Sequence, residues 1–191
     1  MADLTGTGVP GITFGVLDGR QAAGHAAELA ALRAQVCAQP PNRRAADDGA
    51  LAARLAVQRR QPGFVLAVAW HGGYLAGYAT GMPLRPATSW WRDLTAPLPG
   101  DLTAEHPGRT FAVAELLVRA SWRRQGIGTA LHHLLLAGRP EERATATVAA
   151  AAAPAQHAFR AWGWRKIART RAPGPGAGVR DVLLITLPVR R

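Results

Sequence analysis

One stretch of the chain combines residue types that could bind a polyanion with a residue that could accept a proton. It is Phe111–Leu136, FAVAELLVRASWRRQGIGTALHHLLL. Residues 123–128 read Arg-Arg-Gln-Gly-Ile-Gly, and the two glycines allow the backbone to bend sharply and to approach a ligand closely. A strand that runs through such a turn into a helix leaves backbone N–H groups unpaired. Together with the positive end of the helix dipole, these groups form a cradle for phosphate.

Glu115 is the one carboxylate in the apolar strand that precedes this turn. A positioned carboxylate can accept a proton from a reacting group, either directly or through water. Strand alternation places Glu115 on the same face as Val113 and Leu117. Two interpretations follow: Glu115 is a general base, or it is a buried structural carboxylate bonded to an arginine. The sequence leaves both open.

The spacing of the glycines excludes two other classes of phosphate-binding loop. A Walker loop needs Gly-x4-Gly-Lys-Ser/Thr, and no lysine follows either glycine. A dinucleotide fingerprint needs a third glycine at position 131, which is Leu131. What remains is Arg-x-x-Gly-x-Gly between a strand with Glu-Leu-x-Val and a leucine-rich helix. This pattern resembles the acetyl-CoA-binding motif of the GNAT superfamily of N-acyltransferases, here as a bacterial small-molecule-type member.

The resemblance implies a cosubstrate, a site and a reaction. Acetyl-CoA would be the cosubstrate, with backbone groups of Leu117 and Val118 paired to its pantetheine arm. The residues that would hold its pyrophosphate are Arg123, Arg124, Gln125, Gly126, Ile127, Gly128 and Thr129. Glu115 would be the catalytic base. Direct attack in a ternary complex is expected, because the only thiol, Cys37, lies in the first predicted helix, far from the motif.

The sequence departs from the family pattern near its C-terminal end. GNAT enzymes often have an Asn or Asp near the end of the fifth strand, and a Tyr four residues before a Gly-Phe or Gly-Trp pair. Here the pair is Gly163-Trp164, the Tyr position is Phe159, and the Asn/Asp position is Ala152. Phenylalanine lacks the hydroxyl that protonates the departing thiolate, a contribution typically worth about 10² to 10⁴ in rate. The alternative function is therefore a GNAT-like acyl-CoA-binding or sensor module with weak catalysis.

Periodicity and turn signals predict an α/β (α+β) fold with the element order of a GNAT domain. We expect a central mixed, mostly antiparallel sheet of about seven strands, with strands 4 and 5 splayed, and about four flanking helices. The predicted strands are 11–17, 64–70, 74–80, 111–118, 143–152, 164–170 and 181–189. The predicted helices are 21–38, 47–60, a third from Thr129 onward, and 154–162. Residues 1–191 would form a single domain, with a flexible turn at 171–178.

A long insertion, residues 82–110, separates predicted strands 3 and 4. Its adjacent Trp90 and Trp91 either pack the insertion onto the sheet or form the wall of an acceptor pocket, as substrate-binding residues. Its acidic residues Asp93, Asp101 and Glu105 could suit a cationic amine. An insertion of this length would tend to cover the site, which favours a small-molecule amine over a protein terminus.

Other polar side chains admit more than one interpretation. Arg43 and Arg44, in the loop between the first two helices, are either solvated charges or substrate contacts. Tyr74 or Tyr78, on the predicted hairpin, could supply the missing hydroxyl. No metal-ligand spacing occurs, and Cys37 alone cannot form a disulfide within one chain.

The composition of the chain limits the classes of partner that we expect. The net charge of +11 comes almost entirely from arginine, and CoA, a polyanion, accounts for part of the excess. The arginines are spread along the chain without interleaved aromatic residues, so nucleic acid is not expected, and an RNA-associated acyltransferase is the weaker rival. No signal sequence or long apolar run is present, so we expect no membrane contact and a cytoplasmic location. A homodimer is compatible with the sequence.

Overall fold

The computed structural model describes residues 9–38, 48–171 and 178–189, and it has the predicted α/β architecture. The strands are β1 (Ile12–Leu17), β2 (Val65–His71), β3 (Tyr74–Pro83), β4 (Thr110–Val118), β5 (Arg143–Ala149), β6 (Arg165–Arg171) and β7 (Val179–Thr186). The helices are α1 (Ala26–Cys37), α2 (Asp48–Gln58), α3 (Gly100–Thr103), α4 (Ile127–Leu136) and α5 (Ala153–Ala161). Short 3₁₀ helices cover Gln21–His25 and Ala120–Trp122. None of the described helices is long and apolar enough to cross a membrane.

The strands form one mixed sheet in the order β1-β2-β3-β4-β5-β7-β6. Strands β1–β2, β2–β3, β5–β7 and β6–β7 pair in antiparallel fashion. Strands β4 and β5 are parallel, with Thr110–Val113 paired to Arg143–Ala146. The predicted fold class and element order are thus confirmed. The prediction missed α3, which lies inside the long insertion. Arg43, Arg44 and most of the predicted turn at 171–178 lie outside the described residues.

The β2–β3 hairpin shows why local sequence was informative. Gly72 and Gly73 have φ angles of +52° and +82°. Such angles cost glycine little, and they match the turn that best suits the right-handed twist of two antiparallel strands. A Gly-Gly pair between two β-rich segments therefore identified this hairpin correctly.

The chain divides into two compact units, which are described separately. Unit 1 comprises Met1–Met82 and Ala114–Ala137, and unit 2 comprises Pro83–Val113 and Gly138–Arg191. The core of unit 1 is built from α1, the hairpin strands and neighbouring turns: Ala22, Leu29, Leu32, Val36, Phe64, Leu66, Val68, Leu75, Tyr78 and Met82. Burying each large apolar side chain of this set contributes about 1.5–3 kcal/mol. That the whole chain is a single domain stays a prediction.

Gly77 allows β3 and β4 to approach closely within unit 1. A Cβ atom at Gly77 would lie 2.9 Å from the backbone oxygen of Leu117, a contact that no side chain could make without displacing one strand. The absence of a side chain here lets the next residue, Tyr78, stand beside the middle of β4. The two strands thus bring a phenol and a carboxylate together.

In unit 2 the insertion packs against the sheet. Trp91 is buried in a cluster with Leu84, Ala112 and Val182. The Trp90 indole N–H donates to Thr145 Oγ1 at 3.2 Å. Further along, Leu94 forms a β-bridge with Thr170. Both tryptophans therefore make the packing contacts of the first interpretation, and their role as acceptor-binding residues stays a prediction.

Glu105 is not exposed to solvent, so its carboxylate is not available to a cationic amine as its place in an acidic insertion had suggested. Its side chain is fully buried, and its Oε1 accepts hydrogen bonds from Arg143 at 3.0 Å, from the Trp91 indole at 3.0 Å and from Thr110 at 2.9 Å. The carboxylate is therefore a structural anchor for the insertion.

Candidate active site

Glu115 lies in β4 and is held by two donors from other elements of unit 1. Arg33 Nε, from α1, donates to Oε1 at 2.6 Å, and the Tyr78 hydroxyl, from β3, donates to Oε2 at 2.6 Å. The side chains of Arg33 and Glu115 retain 16% and 23% of their exposure. Because each carboxylate oxygen has two lone pairs, both can still accept a proton from an amine or a water molecule.

Tyr78 is almost completely buried. Burial, and then the charge and hydrogen bond of Glu115, raise the pKa of the Tyr78 phenol well above its ordinary value. The phenol therefore stays protonated near neutral pH and acts as a donor to Glu115. Tyr74, the other tyrosine of the hairpin, is exposed and lies under the Arg119 guanidinium at 4.6 Å.

A cavity of about 100 Å³ opens beside Glu115 and Tyr78. This space admits several water molecules or a small amine group. Its remaining lining comes from α1 and from the C-terminal half of α2 and its end: Ala26, Leu29, Ala30, Arg54, Leu55, Ala56, Gln58 and Arg59. A proton-accepting group thus borders a space where an acceptor could stand.

The Arg-x-x-Gly-x-Gly turn follows β4 in the same unit. Gly126 has a φ of +84° and precedes α4, which begins at Ile127, two residues earlier than predicted. The first helical bond runs from Ala130 N to the Gly126 oxygen at 3.0 Å, so the N–H groups of Ile127 and Gly128 precede the hydrogen-bonded ladder. This is the geometry of an anion cradle at a helix N-terminus.

Packing within the protein does not explain why position 128 is a glycine. A Cβ atom there would meet only side-chain methyl groups of Leu116 and Val118, at 3.8 and 3.9 Å, which are ordinary contact distances. The lack of a side chain therefore leaves space at the start of α4, as close approach of a phosphate would require.

The two arginines of the turn differ in their surroundings. Arg123 Nε donates to the Val118 oxygen at 3.0 Å, which ties the turn to the end of β4. Arg124 is exposed, and it is the only described non-glycine residue with a positive φ, +63°. A left-handed conformation is unfavourable for arginine by about 1 kcal/mol or more, and such strain is concentrated at functional sites.

Arg124→Gly is expected to stabilise the fold and to weaken binding. Glycine removes the left-handed strain, so the free energy of unfolding should rise by about 0.5–1 kcal/mol, while the loss of a charge-assisted phosphate contact should weaken acetyl-CoA binding about tenfold. Urea denaturation and calorimetric titration measure the two effects. Arg124→Ala is the matched control, because it removes the same charge but keeps the strain. Equal stability of the two variants would contradict the strain, and unchanged acetyl-CoA binding would contradict the phosphate contact.

Helix α4 anchors the turn through its buried side. Ile127, Leu131 and Leu135 are almost fully buried. His132 is buried with them, and burial, followed by the nearby His133, lowers its pKa to about 4. The imidazole is therefore uncharged near neutral pH and is part of the packing of this helix.

The structure brings one set of predicted site residues together and leaves the other in a different unit. Glu115, Leu117, Val118 and residues 123–129 all belong to unit 1. In unit 2, Phe159 is buried and packs against Trp162 and Trp164, with ring centroids 5.2 and 5.1 Å away. Ala152, also in unit 2, is buried. The roles assigned to individual site residues stay predictions.

Sequence reasoning did not identify Arg33, Arg54 or Arg59. A signal for Arg33 was present: it follows Leu29 by four residues and precedes Cys37 by four, which places it on the buried side of α1. An arginine at such a position needs an internal carboxylate. Local sequence held no comparable signal for Arg54 or Arg59.

The architecture matches that of solved acetyltransferases. The structure of yncA from Salmonella typhimurium, which contains acetyl-CoA, has a TM-score of 0.64 at 15% identity and covers 94% of this chain and 96% of its own. The acetyl-CoA complex of Arabidopsis thaliana NAA60 has a TM-score of 0.65 at 16% identity, with coverages of 92% and 99%. An acetyltransferase of the GNAT family from Staphylococcus aureus has a TM-score of 0.64 at 12% identity, with coverages of 91% and 99%. At these identities the likeness shows the fold.

The sequence itself shows the family. The profile of the Acetyltransferase (GNAT) family matches residues 20–164, which is most of the chain, so the protein belongs to the GNAT family of acetyltransferases. The family and the enzyme class predicted from the motif are therefore confirmed. No curated protein sequence matches the chain significantly.

Proposed function

We propose that this acetyltransferase transfers the acetyl group of acetyl-CoA to the primary amine of a small molecule by direct attack. The observation that carries the proposal is the continuity of β4, the turn and α4. One element presents Glu115 to a cavity and leads directly into an anion cradle. The structures of yncA and NAA60, which share the fold, hold acetyl-CoA.

In this proposal the turn binds the pyrophosphate of CoA. Backbone N–H groups of residues 125–129 donate to its oxygens, and Arg123 and Arg124 add charge-assisted contacts. Leu117 and Val118, at the end of β4, offer backbone groups to the pantetheine arm. The thioester would then lie near the carboxylate of Glu115, two residues before Leu117 on the same strand.

Glu115 has a role in the proton transfers that the proposed reaction requires. An alkylamine with a pKa of about 10.4 is mostly protonated near neutral pH, so its nitrogen must lose a proton to attack the thioester carbonyl. Glu115 accepts that proton at a free lone pair, while Arg33 and Tyr78 fix the carboxylate in place. The C–N bond forms and the C–S bond breaks, and the second proton that the nitrogen loses goes to the departing thiolate of CoA. Glu115 then releases the first proton to solvent. With a thiol pKa of about 8.5, the thiolate is a fair leaving group even without a tyrosine at position 159.

The second candidate, an acyl-CoA-binding sensor, is favoured by Phe159 and Ala152. Calorimetric titration with acetyl-CoA, followed by an amine panel assayed for CoA release, separates the two. We expect micromolar binding and turnover of at least one amine. Binding without turnover would support the sensor.

A steric block tests the cradle in the same titration. Gly128→Trp should abolish acetyl-CoA binding, because the indole would fill the space at the start of α4. His133→Trp is the control, since it places the same side chain at an exposed position of the same helix. Equal binding by both variants would show that the turn does not hold the cofactor.

A further inference from the structure

The lining of the cavity beside Glu115 carries more positive than negative charge, and the proposed reaction does not explain this excess. Two arginines of its lining, Arg54 and Arg59, have no ion-pair partner among the side chains that the structure describes. Its one carboxylate, Glu115, is already bonded to Arg33. The lining therefore carries an excess of positive charge.

The other acids of unit 1 whose side chains the structure describes form their bonds outside the cavity. Glu28 pairs with His25 at 2.7 Å. Asp18 accepts the backbone N–H groups of Arg20 and Gln21 at 2.8 and 2.9 Å. Neither carboxylate is bonded to the cavity arginines, of which Arg54 is exposed and Arg59 is half-buried. An anionic ligand that enters the cavity would therefore meet two guanidinium groups without a bonded carboxylate.

Apart from Gln58 and Tyr78, the rest of the cavity lining is apolar. Alanine and leucine side chains of α1 and α2 supply the alkyl surface: Ala26, Leu29, Ala30, Leu55 and Ala56. The lining thus combines a carboxylate from β4, the guanidinium groups of Arg54 in α2 and of Arg59 just after it, and a short hydrocarbon wall. A molecule that is complementary to all three has an amine, an anionic group and a short carbon skeleton.

We propose that the acceptor is a small amine that also carries an anionic group, a carboxylate or a phosphate. The proposal rests on the acetyl transfer proposed above and names the substrate class of the same site. The amine lies at Glu115, and Arg54 and Arg59 bind the anion, since guanidinium is well suited to both carboxylate and phosphate oxygens. Polyamines and other purely cationic amines are disfavoured by the same charges. This replaces the expectation of a cationic amine, which depended on acidic residues of the insertion.

A matched set of amines tests the class. Four-carbon probes differ only in one terminal group: 4-aminobutanoate is anionic, 4-aminobutanamide is neutral at that end, and 1,4-diaminobutane is cationic. L-amino acids and their amides extend the comparison to α-amines, and O-phosphoethanolamine distinguishes phosphate from carboxylate. We expect kcat/KM for an anionic amine to exceed that for its neutral partner at least tenfold, with the diamine lowest.

Variants of the arginines assign the preference to the cavity. Arg54→Gln and Arg59→Gln should each raise KM for the anionic amine about tenfold and shrink the preference over the amide. Arg60→Gln is the matched control, because Arg60 is adjacent and exposed but does not line the cavity. Arg54→Lys and Arg59→Lys retain the charge and should keep part of the preference, even if a glutamine variant folds poorly.

The outcomes separate this inference from the proposed function. Turnover of the diamine or the amides at equal or greater kcat/KM would overturn the anionic class while supporting acetyl transfer. Calorimetric binding of an anionic amine without turnover, lost in Arg54→Gln but kept in Arg60→Gln, would support the anionic class while overturning acetyl transfer. Absence of both binding and turnover for every anionic amine would overturn the inference.

Discussion

Glu115→Gln is expected to lower kcat for amine acetylation by about 10² to 10⁴. Glutamine has nearly the shape of glutamate, so its oxygen can still accept from Arg33 while its amide N–H donates to the Tyr78 hydroxyl. The fold should therefore survive. What disappears is the group that accepts the amine proton. The measurement is steady-state CoA release at saturating acetyl-CoA, with circular dichroism to establish that the variant is folded.

The pH profile distinguishes a base from a structural carboxylate. If Glu115 is the base, the variant depends on free amine in solution, so its rate should rise about tenfold for each pH unit below the amine pKa of about 10.4, while the wild type rises less steeply. Tyr78→Phe is the companion variant, because it removes a hydrogen bond to Glu115 and keeps the carboxylate. The decrease in kcat for Tyr78→Phe should be smaller than that for Glu115→Gln. An unchanged kcat in Glu115→Gln would show that Glu115 serves only to hold Arg33.

The elements that were predicted correctly are those whose signals are local. The β2–β3 hairpin follows from Gly72-Gly73 between β-rich segments, and α4 follows from leucine spacing after a glycine turn. Errors arose where local sequence was ambiguous. The predicted helix 21–38 begins with a 3₁₀ turn over Gln21–His25, and α3 lies in a segment expected to be loop.

In the candidate site, too, local signals were informative and contacts between distant residues were not predicted. The turn that we propose to bind phosphate could be identified from the sequence because the residues that form it are contiguous. The partners of Glu115 were not, because Arg33 is 82 positions away in sequence and reaches the carboxylate only when α1 packs on the sheet. The sequence allowed an arginine partner for Glu115 but could not say which arginine, and it gave no indication that Arg54 and Arg59 line a cavity.

The largest effect on stability is expected at the ion pair that holds the insertion of unit 2. Glu105→Ala should lower the free energy of unfolding by about 3–5 kcal/mol, because it leaves the Arg143 guanidinium buried without a counter-charge. Arg143 is 9% exposed at its side chain and lies 5.8 Å above the Trp91 ring, so water cannot readily replace the lost carboxylate. Urea denaturation followed by tryptophan fluorescence measures the loss, and Trp91 is one of the six tryptophans that contribute to the signal.

A double-mutant cycle tests whether the loss of stability comes from breaking the Glu105–Arg143 ion pair. Glu105→Leu combined with Arg143→Met removes both charges, and its stability should be closer to that of the wild type than either single variant, since apolar replacements of buried ion pairs are often neutral or better. Glu142→Gln is the matched control: it lies next to Arg143 but is 61% exposed, so its removal should cost about 1 kcal/mol or less. If the two single losses simply added in the double variant, the two charges would be energetically independent, and the other contacts of the insertion would hold it in place.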